Sequence, residues 1–272
     1  MKNFDDKVAV ITGAGAGIGR SLAVALANEG ARLALSGRRE STVAETAELC
    51  ERAGAKARAY RLDVTDRQAV YDHAEEVLAD FGRVNLVVNN AGVSMTSGVD
   101  ETTWDDLEWI MGINFWGVVH GTKAFLPHVI ASGDGYIANV SSMFGLAACP
   151  TQSAYNASKF AVKGFTDALR QEMRMEGRPV GVSCVHPGMI KTGIARKARA
   201  GASRDVDELA DNFERLARTS ADRAAKHILR GIRKERSKIL VGPDAYMIDL
   251  MPRVLGSGYQ RVITASMRRQ PA

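Results

Sequence analysis

Cysteine is scarce in this chain. Three residues, Cys50, Cys149 and Cys184, occur in 272, an odd number without metal-ligand spacing. A disulfide framework and a cysteine-built metal site are therefore not expected. The five histidines form no HxxxH or HExxH pattern, so no metal is expected from them either. No run of 18 apolar residues exists, which argues against a transmembrane helix. The opening MKNFDDKVAVITG runs straight into an apolar strand pattern, with no charged-then-apolar leader. A cytoplasmic protein is the expectation. Prolines number only 7 against 26 glycines, and no repeat, low-complexity tract or linker interrupts the chain. One domain is expected. Excess charge is small, +5 with a pI of about 9.2, and acids are interspersed with bases. No nucleic-acid recognition motif accompanies that charge, so no nucleic-acid partner is expected.

What the chain does have is alternation. Strand-length apolar runs at 7–12, 32–36, 57–62, 86–89, 136–140, 180–185 and 238–241 alternate with helical patterns. The helical patterns span 18–29, 42–53, 66–81, 103–131, 153–176 and 221–234. Strand and helix in strict succession predict an α/β fold: a doubly wound parallel Rossmann-type sheet of about seven strands with helices on both faces. Ligands of such sheets bind beyond the carboxyl ends of the strands.

The first strand ends in Thr12-Gly13-Ala14-Gly15-Ala16-Gly17-Ile18-Gly19, and a helix follows. Glycine is needed where φ is positive and where a pyrophosphate must approach the backbone and a helix N-terminus. By itself such a turn could be only a tight connection. The second strand ends in Ser36-Gly37-Arg38-Arg39, with Gly37 where an acid would hold the ribose hydroxyls of NAD. Arginine suits a 2′-phosphate, so this run predicts NADP(H), with a possible hydroxyl contact from Ser36. Asp63-Val64, after the third strand, is placed to meet an adenine.

Tyr155 and Lys159 stand four residues apart on one helix face. A phenol ionises near ~10, and a lysine ammonium in a partly dry site shifts it toward useful range. Alone, the pair could equally be a surface contact. With its companions it resembles the classical short-chain dehydrogenase/reductase family. The motifs follow in order: Thr12–Gly19, Asp63-Val64, Asn89-Asn90-Ala91-Gly92, Asn114, Ser141-Ser142, Tyr155–Lys159 and His186-Pro187-Gly188 with Thr192. The likeness runs from Lys7 to about Val241.

The resemblance implies an oxidoreductase that moves a hydride between a nicotinamide and a carbonyl or secondary alcohol. It implies Tyr155 as general acid and base, with Ser142, thirteen residues upstream, bonding the substrate oxygen. Ser141 is read as a backbone cap. Lys159 would hold the nicotinamide ribose, and Asn114 a water relaying protons to it. Asn89 would steady the sheet. Asn90, Ala91 and Gly92 would lie against the cofactor, as would Pro187, Gly188, Ile190 and Thr192. His186 is read as a core residue. The alternative to an enzyme is a silent NADP(H)-binding sensor of the same fold, which would not need Asn114, Ser142, Tyr155 and Lys159 together.

Residues expected around the substrate are Ser94, Met95, Met143, Phe144, Cys149, Gln152 and Met189. They are mostly apolar and predict a moderately hydrophobic ketone or alcohol. The polar, glycine-containing segment 193–212 is read as a substrate lid. Residues 1–242 form the expected domain. Residues 243–272 form an extension that covers a sheet edge and ends in an arginine-rich, solvated tail. A homodimer is expected through the two long helices, with a tetramer as the alternative.

Overall fold

The structure, a computed structural model, describes residues 1–268. The first half alternates β1 (Val8–Thr12), α1 (Gly17–Ala27), β2 (Arg32–Gly37), α2 (Glu40–Arg52), β3 (Ala57–Arg61) and α3 (Arg67–Phe81). Next come β4 (Leu86–Asn89), the two-residue β5 (Met95–Thr96), α4 (Trp104–Met111), α5 (Gly117–Ala131) and β6 (Gly135–Val140). The second half holds α6 (Ser153–Met175), β7 (Val180–Pro187), the short β8 (Ile190–Lys191) and β9 (Arg199–Ala200), and α7 (Val206–Leu216). It closes with β10 (Thr219–Ser220), α8 (Ala221–Arg233), β11 (Lys238–Val241), α9 (Pro243–Leu255) and α10 (Tyr259–Arg268).

Seven strands form one parallel sheet in the order β11-β7-β6-β4-β1-β2-β3. Chain direction across the sheet reverses between β1 and β4, which makes their carboxyl ends the switch point. The central strands are continuous apolar runs because both faces are covered: every residue of β1 and β4 is buried. On one face Leu22, Leu26 and Ile228 of α1 and α8 pack on Ile11, Leu35 and Val88. On the other, Val70, Val77 and Phe125 of α3 and α5 pack with Val10, Val87 and Ile137.

Local chemistry sets the boundaries. The Asp66 carboxylate accepts the Ala69 amide hydrogen and opens α3, and Gly82, at φ +76°, closes it in the left-handed region. Thr103 and Ser220 cap α4 and α8 in the same way. A buried polar net joins sheet and helices: the Asn89 amide donates to Thr122 Oγ1 (3.1 Å) and Asn139 Oδ1 (2.8 Å), and Asn139 donates to Thr166 Oγ1 (3.1 Å). Asn89 therefore ties β4 directly to β6 and α5, and through β6 to α6.

Two elements depart from the sequence expectation. The helix expected over 103–131 is broken at 112–116 by one π turn, GINFW, with Asn114 at its centre. Wider turns of this kind are common at functional sites. The segment read as an irregular lid contains a helix, α7, that runs to Leu216, beyond the expected limit at 212. Its N-cap is Asp205, whose carboxylate accepts the amide hydrogens of Asp207 and Glu208. The extension over 243–268 packs α9 and the start of α10 against β11 and the loop after β6, through Ala245, Ile248, Met251 and Tyr259. Residues 269–272, the end of the expected basic tail, lie outside the described residues.

Candidate active site

Beyond the carboxyl ends of β1, β4, β6 and β7 lies a cavity of about 1030 Å³. One end is floored by the turn after β1. Gly13 and Gly17 adopt φ of +65° and +53° there, and a Cβ on Gly13 would stand 2.9 Å from Ala91 Cα. A Cβ on Gly19 would stand 2.4 Å from the Gly13 carbonyl oxygen. Two such collisions leave only glycine at these positions. The turn is then fastened from both sides. Thr12 Oγ1 accepts the amide hydrogens of Asn90 and Ala91, both at 3.0 Å, and the Asn90 side chain donates to the Thr12 carbonyl at 2.9 Å. From the other side Arg20 donates to the carbonyls of Gly15 (2.8 Å) and Thr42 (3.2 Å) and pairs with Glu45. Sequence reasoning overlooked Arg20, although it directly follows the glycine turn.

The second end holds the chemistry. Tyr155, Lys159 and Ser142 all line the cavity, and all are largely buried. Tyr155 and Lys159 come from the first turns of α6, while Ser142 follows β6. Lys159 Nζ stands 5.6 Å from the Tyr155 ring centre and 3.3 Å from the Val140 carbonyl oxygen. Burial pulls the Lys159 ammonium down to about 8. Burial also raises the Tyr155 phenol above its ordinary value, against a lowering hydrogen bond with Ser142. Ser142 Oγ accepts the Phe144 amide hydrogen at 3.2 Å, which leaves its own hydrogen free to donate. Ser141 is placed as the backbone cap expected of it: its hydroxyl donates to the Lys159 carbonyl at 2.7 Å.

Asn114 sits behind this group, fully buried. Its Oδ1 accepts the Val93 amide hydrogen (2.9 Å), and its Nδ2 donates to the Val93 carbonyl (3.0 Å) and Ser158 Oγ (3.1 Å). These three hydrogen bonds fix the Asn114 side chain between the loop after β4 and α6. A Cβ on Gly92 would stand 3.2 Å from Asn114 Oδ1 and 3.3 Å from Lys159 Nζ, so Gly92 keeps this corner open.

Of the other expected cofactor residues, Ile18, Arg38, Asn90, Ala91, Pro187, Gly188, Ile190 and Thr192 border the cavity. Gly15, Gly37, Arg39, Asp63 and Val64 do not. Gly15 packs against Thr42, and a Cβ on Gly37 would stand 3.0 Å from Val43 Cγ2, so packing alone accounts for both glycines. Asp63 is exposed and accepts from the Thr65 amide and hydroxyl. Val64 is buried under α5, its carbonyl bonded to His120. Ser36 is a correction. It is fully buried, with Oγ turned toward the Ile11 carbonyl, and cannot offer a hydroxyl to a phosphate. Arg38 is exposed at the rim and, among the described residues, makes no ion pair. The glycine cradle, the α1 N-terminus behind it and the Lys159 corner fit a dinucleotide.

The expected substrate residues Ser94, Met143, Phe144, Cys149, Gln152 and Met189 all line the cavity, whereas Met95 is buried beneath it. Gln152 is held by a 3.2 Å hydrogen bond to Thr96 Oγ1. Three features were not foreseen. The apolar face of α7 (Val206, Leu209, Phe213 and Leu216) roofs the cavity. Asp244, in the first turn of α9, accepts the Met189 amide hydrogen and steadies the loop after β7. Thr264 and Met267 of α10 reach the cavity from the far end of the chain. The stretch between Ala200 and Thr219, which holds α7, is flanked by two short strand pairings, β9 with β5 and β10 with β8. Gly201 is buried where a Cβ would meet Glu101 and Ser97.

Residues 7–203 match the short chain dehydrogenase family. The chain belongs to that family. It is 51% identical over 270 residues to the oxidoreductase SadH of Mycobacterium tuberculosis, covering 99% of this chain and 98% of that protein. It is 37% identical over 201 residues to the C alpha-dehydrogenase of Sphingobium sp., covering 73% and 65% respectively. Among solved structures it resembles a short chain dehydrogenase/reductase from Burkholderia phymatum in complex with NAD. That likeness has a TM-score of 0.84 and 33% identity, over 100% of this chain and 98% of that one. The protein is an oxidoreductase of the CH–OH class with a Rossmann-type sheet. Among the described residues no helix is long and apolar enough to cross a membrane.

Proposed function

We propose that the protein reduces a moderately hydrophobic ketone, or oxidises the matching secondary alcohol, with NADP(H) as hydride carrier. The convergence of Tyr155, Ser142 and Lys159 on one wall of an otherwise mostly apolar cavity carries this reading. Tyr155 gives its proton to the carbonyl oxygen in reduction and takes it back in oxidation. Ser142 donates a hydrogen bond to the same oxygen and stabilises its developing charge. A bound nicotinamide would supply or accept the hydride, and its charge when oxidised would favour the Tyr155 phenolate. Lys159 would hold the ribose hydroxyls and, with a water at Asn114, would carry protons between Tyr155 and solvent. Thr192 and the backbone at Ile190 orient the carboxamide.

NADP(H) is assigned from Arg38, a free guanidinium at the cavity rim with no acid beside it at position 37. NAD(H) is the second reading, favoured by the Burkholderia relative crystallised with NAD. Exposed Trp104, Trp116 and Phe160 on α4, the π turn and α6 support a homodimer through these helices. An apolar stripe on α9 (Met247, Leu250, Val254) offers a second face for a tetramer. Light scattering distinguishes the two.

The test of the chemistry is NADPH oxidation on a panel of ketones. Tyr155→Phe should lower turnover roughly 10²- to 10⁴-fold, the range of a lost general acid. The same variant should still quench on binding NADPH. Turnover equal to wild type would remove Tyr155 from the mechanism.

A further inference from the structure

The matched family region ends at residue 203, yet the cavity is finished by residues far beyond it. Thr264 and Met267, one turn apart on α10, face into the cavity. They meet the loop that joins the 3-10 turn at Met143–Gly145 to α6. Met267 Sδ lies 3.5 Å from Cys149 Sγ, and the Ala148 amide donates to the Tyr259 hydroxyl at 3.2 Å. The same loop is held from beneath, where Asn156 Nδ2 donates to the Cys149 carbonyl at 2.9 Å. Two residues on, Thr151 adopts φ +62°, a left-handed conformation unusual for a β-branched residue. The loop thus lies between α6, which carries Tyr155, and α10, which docks on its outer side.

We propose that α10, through Thr264 and Met267, is the far wall of the substrate pocket and sets how long an apolar substituent the carbonyl compound can carry. This rests on the reading of the cavity as a ketone site and deepens it. The reactive carbonyl lies at Tyr155 and Ser142, beneath the apolar roof of α7. The remainder of the substrate runs toward Cys149 and Met267, a wall of two polarisable sulfurs; the charged side chains lining the cavity near the substrate end, Lys197, Arg204, Asp205 and Glu208, belong instead to α7 and the segment before it. Such a wall accepts a hydrocarbon chain or an aromatic ring and rejects a charged or polyhydroxylated one. Methionine is unbranched and yields to shape, so the wall discriminates by length more than by outline.

The experiment uses the full chain and 2-alkanones from four to twelve carbons with NADPH. Met267→Trp fills the end of the slot, and Thr264→Trp is its independent companion. Each should lower kcat/KM for the longest alkanones at least tenfold relative to the shortest, chiefly through KM. An unchanged long-to-short ratio in both variants overturns the proposal. A second readout does not need turnover. Met267→Ala should speed maleimide alkylation of Cys149 several-fold, with buried Cys50 and Cys184 as internal controls. An unchanged alkylation rate overturns the contact. If wild type reduces no alkanone with NADPH or NADH, the ketone reading fails. Chain-length-dependent thermal stabilisation by the same alkanones, lost in Met267→Trp, then still upholds the wall, and its absence in wild type overturns it.

Discussion

The His186 ring nitrogen Nδ1 lies 2.9 Å from the main-chain carbonyl oxygen of Ser142, and both residues are buried. A carbonyl only accepts, so the ring must carry its proton on Nδ1 and donate it. Burial pulls the imidazole down to about 4, so the ring is neutral at pH 7. His186 therefore positions Ser142 without itself exchanging protons in the working range. His186→Phe keeps the ring volume but removes the donor. Turnover should fall roughly ten- to a hundredfold, the cost of a small misplacement of a reacting group. The fall should appear in kcat more than in KM, and the pH profile should keep its shape. A new ionisation step in the wild-type profile that the variant lacks would overturn the neutral-ring account.

The same burial makes stability depend on pH. His73, packed edge-on between Tyr60 and Phe125 with neither ring nitrogen bonded, is also lowered to about 4. For both histidines the unfolded chain takes up a proton below about 6.5, while the folded chain refuses it until about 4. Their contribution is complete above the unfolded value and is lost as pH falls from about 6.5 toward 4. Between pH 7.5 and 5.5 each should remove roughly 1 kcal/mol of stability by linkage. Urea denaturation at the two pH values measures the loss. His73→Phe, which keeps the aromatic contacts, should cut the difference by about half. An identical pH difference in that variant would rule His73 out.

Much of this was legible in the sequence, for physical reasons. The seven strands are apolar runs because both sheet faces are covered, and Tyr155, Lys159 and Ser142 stood out through the order of motifs that resembles the family, since the Tyr155–Lys159 spacing alone fits a surface pair as well. Ser36 misled because a strand buried on both sides can turn a serine inward as readily as outward. The π turn at 112–116 was invisible, since one widened turn leaves the apolar pattern of the helix nearly intact. The lid helix did leave a signal: Val206, Leu209, Phe213 and Leu216 recur at spacings of three and four behind the Asp205 cap. The flanking charges, Arg196 and Arg199 to Glu214 and Arg215, masked it. The meeting of Cys149 and Met267 joins residues 118 apart. No local pattern encodes such a contact.

In the NADP(H) reading the cofactor choice falls chiefly to Arg38, because Ser36 faces inward and Arg39 does not border the cavity. Arg38→Ala should weaken NADPH binding roughly ten- to a hundredfold, the worth of one or two charge-assisted hydrogen bonds. NADH binding should change less than about threefold, having no 2′-phosphate to lose. Isothermal titration of both cofactors on both proteins gives the four constants. Equal losses for NADPH and NADH would refute the phosphate assignment and favour NAD(H).

The stretch that holds α7 lies between two short strand pairings and is held by charge as well. The Arg196 guanidinium bridges Asp211 (2.8 Å) and Glu214 (2.7 Å), fastening the 3-10 turn at Ala195–Lys197 to the outer face of α7. All three side chains are exposed, so each pair contributes little alone and is screened by salt. Ala210 of α7 is buried, but Val206, Leu209, Phe213 and Leu216 line the cavity, where substrate would add apolar contacts. The free protein should therefore open between Gly201 and Thr219, and trypsin should cut at Arg204 or Arg215. NADPH with a ketone should slow that cleavage several-fold, while Arg196→Ala or 1 M salt should speed it in the free protein. Mass spectrometry of the fragments locates the cut. Equal cleavage with and without ligands would show that α7 does not close over the substrate.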